Sequence, residues 1–155
     1  MYMKKIVLIL LAVVGLSSCS INDDETPNIE YELAEITAND LPDEFEMGKT
    51  YTVTVTYLLP SQCNTFAGID ARRAGNTGPE RRQIFIAAVS RFVNSTECDA
   101  QTSGNSGTST FTITVDENED YTFYFWTGTN AADEPLYDEV TVPVVDIETT
   151  GTLKK

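Results

Sequence analysis

The chain has 155 residues, 24 of them acidic against ten basic, with no histidine and a formal charge of −14. A field of that sign opposes nucleic acid and anionic headgroups as partners. The missing imidazole removes the Ser-His-Asp and Cys-His arrangements and the commonest transition-metal ligand.

The first segment pairs Lys4 and Lys5 with an aliphatic run from Ile6 to Leu16. A charged start, a short apolar run and small residues at its end describe a secretory signal. The run is too short to span a bilayer, which takes about 20 residues. It ends in Leu16-Ser17-Ser18-Cys19, which resembles the lipobox of bacterial lipoproteins. The resemblance implies cleavage before Cys19 and a lipid on its thiol, since a thiolate is a good nucleophile for alkylation. Removing residues 1–18 as a signal peptide takes two lysines and no acid, so the remainder carries a formal charge of −16. Residues 19–28 read as an acidic tether, with Asp23, Asp24, Glu25 and Pro27. An acidic run just after a lipidated cysteine is similar to the surface-export signal of Bacteroidetes lipoproteins. It implies an outer-membrane lipoprotein exposed at the cell surface.

Beyond the tether, residues 29–146 carry the patterning of one β domain and 147–155 that of a tail. Seven Phe, seven Tyr and one Trp, most of them in alternating runs, weigh against disorder. Ile29 to Ile36 forms a first strand whose Glu30, Glu32 and Glu35 suit a sheet edge. Asn39 to Gly48, with Pro42 and four acids, reads as a loop. In Thr50 to Tyr57 threonine alternates with Tyr51, Val53, Val55 and Tyr57, which predicts one buried and one wet face. Phe66 to Arg72 is a third strand, and Gly75-Asn76-Thr77-Gly78-Pro79 a loop. Arg82 to Val93 is apolar on both parities, which predicts a strand covered on both faces or nearly so, with a helix over 83–93 as the competing reading. Asn94 to Gly107 reads as a long loop. Thr110 to Val115, Tyr121 to Trp126 and Leu136 to Val144 complete about seven strands. The expected fold is an all-β, antiparallel, immunoglobulin-like sandwich, with a small barrel as the alternative.

Alternating strand directions bring Cys63 and Cys98 to the same end, each after an upward strand. A Cys63–Cys98 bridge is preferred to two free thiols in an exported chain. The opposite end gathers Arg72, Arg73, Arg81 and Arg82 around the 75–79 turn. Guanidinium groups grip carboxylate, sulfate or phosphate bidentately, so these four are a candidate anion site. The acidic segments 40–46 and 116–120 fall at the same end, and charge compensation is the preferred reading. Asp116-Glu117-Asn118-Glu119-Asp120 offers oxygen ligands for Ca²⁺ but lacks the spacing and turn glycine of an EF-hand loop. A solvated turn is preferred there, and no metal site or cofactor is expected.

The aromatic strand supplies the candidate binding residues. With Phe123 inward, Tyr124 and Trp126 point outward and Tyr137 adjoins them. A flat Trp/Tyr group beside polar side chains is what a sugar ring stacks on. Burial of the patch beneath loop 128–135 or the N-terminal strand is the preferred reading, because Trp is usually mostly buried. Segments 60–68 and 121–128, with Cys98 and Val140-Thr141-Val142-Pro143-Val144, resemble a set of small Bacteroidetes surface lipoproteins. That resemblance implies the anchor, the sandwich and the bridge, and carries no catalytic residue across. The expectation is a non-enzymatic, lipid-anchored surface domain that captures glycan. The alternative is a protein-contact subunit of an outer-membrane complex. Because the first strand starts at the cysteine end, a short tether holds that end toward the bilayer.

Overall fold

The computed structural model describes residues 29–93 and 105–145. The lipobox, the tether, Cys98 and the C-terminal tail lie outside the described residues. The strands are β1 (Ile29–Asn39), β2 (Phe45–Glu46), β3 (Thr50–Leu58), β4 (Asn64–Arg73) and β5 (Gln83–Val93), followed by β6 (Ser106–Thr114), β7 (Tyr121–Thr129), β8 (Pro135–Val142) and β9 (Val144–Val145). The helical content among the described residues is a five-residue 3-10 turn, Gly78–Arg82, opened by Pro79.

The protein is mostly β. Seven strands form one mixed sheet in the order β6-β3-β1-β5-β7-β8, with β4 on the other side of β5. Strand directions alternate along the chain, so β5 and β7 point the same way. β6 leaves to pair with β3, which lets β5 and β7 meet in parallel, Ile84 opposite Phe123 and Ile86 opposite Phe125. The expectation of an antiparallel sheet throughout therefore does not hold.

β1 also differs from expectation, because it lies inside the sheet order rather than at its edge. Its first half, Ile29 to Ala34, pairs with β5, and its second half, Glu35 to Asn39, pairs with β3. Each half hydrogen-bonds along one side, which tolerates the glutamates that argued for an edge. Through β1 the sheet folds back on itself. Phe111 of β6 meets Phe123 of β7 with ring centroids 6.4 Å apart, although those strands do not pair.

The inward parities form the core: Val53, Val55 and Tyr57 from β3, Ile84, Ile86 and Ala88 from β5, Tyr121, Phe123 and Phe125 from β7. The β3 set is the alternation read in the sequence. The segment read as a loop over 39–48 holds a surprise. β2 pairs in parallel with β9, and Phe45 is fully buried against Tyr51, Tyr121 and Phe123. Pro143 interrupts the last expected strand between β8 and β9, because it has no N–H for the ladder. β6 begins at Ser106, four residues earlier than the alternation alone marks. Gly107 is required there, since a Cβ would stand 2.4 Å from the Tyr57 hydroxyl. Tyr57 in turn stacks on Phe66 at 4.4 Å.

Candidate functional site

β5 fixes the outer face of the main sheet. Its inward residues Ile84, Ile86 and Ala88 are buried, whereas Phe85, Ala87 and Val89 are only half-buried. Among the described residues the second parity is therefore partly covered, less so than the first. In the ladder, Phe85 stands between Arg72 of β4 and Tyr124 of β7, and Tyr124 pairs with Glu139 of β8. One step along, Trp126 pairs with Tyr137.

These registers bring the sequence-predicted trio together and add a fourth ring. Phe85 and Tyr124 stack with centroids 4.7 Å apart. Tyr137 meets both edge-on, at 5.3 Å and 6.2 Å. Tyr137 is 38% exposed, and Tyr124 and Trp126 are half-buried. Phe85 escapes sequence reading because an apolar residue in an apolar run looks like core. Its partner across the ladder, Tyr124, was the available signal.

Trp126 separates two depressions. A groove of about 260 Å³ lies on one side, walled by Leu33 and Glu35 of β1, Leu58 to Pro60 after β3, and Thr127 and Gly128. A smaller depression of about 40 Å³ lies on the other side, reaching Asp70, Arg72, Phe85 and Tyr137. Leu33 and Trp126 line both. Beside the groove β7 bulges: the register slips between Trp126 and Gly128, and Gly128 takes φ 136°, which a side chain would resist. Loop 128–135, the expected cover for the patch, forms a turn of its own. Asn130 closes it by accepting from the N–H groups of Ala132 and Glu134. The apolar surface continues along β1, where Leu33 is 42% and Tyr31 69% exposed.

The arginine tip is built differently. Arg73 and Arg81 approach the two oxygens of Asp116 at 3.2 and 2.5 Å. Arg81 and Arg82 reach Glu117 at 3.2 and 2.7 Å, and Arg82 also contacts Glu119. Arg72 stands apart from the other three, 3.6 Å from Asp70 on its own strand. Three of the four arginines thus meet the 116–120 turn that shares their end. Beneath them the buried Tyr121 hydroxyl donates to Asp116 Oδ1 at 2.8 Å. It accepts from the Asp116 and Glu117 N–H groups. That hydrogen bond, then Arg73 and Arg81, holds the Asp116 carboxyl below the usual carboxylate range, against the opposing effect of burial. Burial, followed by the bond to Asp116, pushes the Tyr121 phenol up.

Cys63 sits half-buried in the turn before β4; Cys98, its expected partner, lies outside the described residues. The next residue anchors a polar network that the sequence did not mark. Buried Asn64 donates to Glu32 Oε2 and to the Ser90 hydroxyl at 3.2 and 3.0 Å, and Ser61 donates to Asn64 Oδ1. Ser90, also fully buried, donates to the Glu32 carbonyl. Each member has a partner, as buried polar groups require, so this cluster holds β1, β4 and β5 together rather than offering a reactive group.

Comparison of the chain with protein-family models, with curated proteins and with solved structures finds no match.

Proposed function

We propose that the chain is a non-enzymatic, lipid-anchored binding domain of the bacterial outer membrane, displayed at the cell surface, which captures glycan on its aromatic face. The observation that carries the reading is Trp126, Tyr124 and Tyr137 on one open sheet face with Phe85, beside Asp70, Arg72 and Glu139. Rings present a face for the C–H side of a sugar, and the flanking polar groups suit its hydroxyls. In this reading Cys19 carries the lipid and Cys63 pairs with Cys98. The architecture is an immunoglobulin-like variant in which one strand contact has become parallel.

The test is affinity electrophoresis in gels containing soluble polysaccharides, comparing the wild type with Trp126→Ala. Retardation of the wild type that the variant loses supports the reading, and retardation that survives the substitution overturns it. The anchor is checked with a metabolic fatty-acid probe, which should label the wild type and miss Cys19→Ser. A protein-contact surface is the second reading, favoured by the exposed Ile29, Tyr31 and Leu33 that extend the patch along β1. It predicts no retardation in any such gel.

A further inference from the structure

We infer that the glycan bound at this face is an uncharged chain lying across Trp126, with one unit in the groove and a neighbouring unit against the ring cluster. This deepens the glycan reading and rests on it.

The first reason is shape. Leu33 and Trp126 are common walls of both depressions, so one ligand running past them enters both. The two sides differ in kind. The groove of about 260 Å³ approaches the lower end of small-molecule pockets, about 300 Å³, and has room to seat a sugar unit. The depression of about 40 Å³ is too small to take one whole and offers instead a contact against the rings of Phe85 and Tyr137. A single sugar leaves one of the two sides empty. A chain fills both, and its ends need not be recognised.

The second reason is charge. Glu35 stands in the groove wall, Asp70 borders the ring cluster, and Glu139 lies opposite Tyr124. Arg72, the cation beside the ring cluster, has Asp70 3.6 Å away. Three further arginines are held at the other end against Asp116, Glu117 and Glu119. A polyanion, such as a uronate or sulfated chain, would meet carboxylates at the site and a net charge of −14 beyond it. Neutral hydroxyls meet no such field, and carboxylate oxygens accept hydrogen bonds from them well.

The experiment is calorimetric titration of the full domain with neutral oligosaccharides of one to four units (gluco-, manno- and xylo-series) and with oligogalacturonates of the same lengths. For a neutral series that binds, affinity should rise by about tenfold from one unit to two, as expected when a second stacking contact worth about 1.4 kcal/mol is added. Tyr137→Ala should remove that rise, and Trp126→Ala should weaken every length. Oligogalacturonates should not bind at low salt. Equal affinity for one and four units overturns the two-sided seat. Trp126-dependent binding of the acidic series overturns the charge assignment while leaving glycan capture standing. Binding indifferent to Trp126 removes both readings. Circular dichroism of the two variants, expected to match the wild type, shows that any loss is not unfolding.

Discussion

At the scale of residues, Tyr121 does the most for the arginine end. Its ring is fully buried beside Phe45, and its hydroxyl serves as acceptor for two backbone donors and as donor to Asp116. Tyr121→Phe keeps the ring and strands those N–H groups. It should lower unfolding stability by about 1–3 kcal/mol in urea titrations. Asp116→Asn tests the same knot through pH. A carboxyl whose folded pKa is depressed stabilises the fold above its unfolded value, near 4, and loses that contribution as pH falls through the folded value. The wild type should therefore be the more stable at pH 7, and the gap should close on acidification through the carboxylate range. A gap that stays constant from pH 7 to pH 2 would show that the charge of Asp116 is not what matters. Arg73, Arg81 and Arg82 could be placed at this end from sequence because strand direction follows from turn count alone. The tyrosine bonds could not, since they depend on how one ring enters the core.

At the scale of elements, the short parallel clasp between β2 and β9 closes the core at the Phe45 end. Phe45→Ala removes a fully buried ring that touches three other aromatics. It should cost about 3–5 kcal/mol, read as a lower urea midpoint with an unchanged slope. β3 was legible because its apolar residues alternate for long enough to show period two, and β7 because six residues hold five aromatics. The start of β6 was not, because Ser106 to Thr110 carries no apolar side chain that could mark a face. β2 and β9, at two residues each, have no period to read. β5 misled in a useful way. Phe85, Ala87 and Val89 look like a second buried face, yet the structure leaves them only half-buried, Phe85 against the rings of Tyr124 and Tyr137. The trio Tyr124, Trp126 and Tyr137 was legible because burial of Phe123 dictates the parity of its neighbours. The groove beside Trp126 was not, because it lies beside a bulge at Thr127 and where β1 changes partners after Ala34.

At the scale of the whole molecule, two electrostatic effects oppose each other. The ion pairs at the arginine end are worth about 0–1 kcal/mol each where solvent reaches them. The surplus of 14 negative charges pushes the folded chain apart. Salt acts unequally on the two. At 0.1 M the screening length is about 10 Å, shorter than the span of a domain whose radius of gyration is about 13 Å for 100 residues. Repulsion between distant carboxylates is therefore damped, whereas Arg82 and Glu117, in contact at 2.7 Å, are little affected. The thermal midpoint should accordingly rise between 10 and about 150 mM sodium chloride, within the range where that screening length applies. Glu117→Gln separates the contributions. It removes one negative charge and breaks contacts to Arg81 and Arg82, so it should lie below the wild type at every salt concentration and still show the rise. A midpoint that falls with salt in the wild type and becomes flat in Glu117→Gln would mean that the arginine knot, not the overall charge, governs how this fold responds to ions.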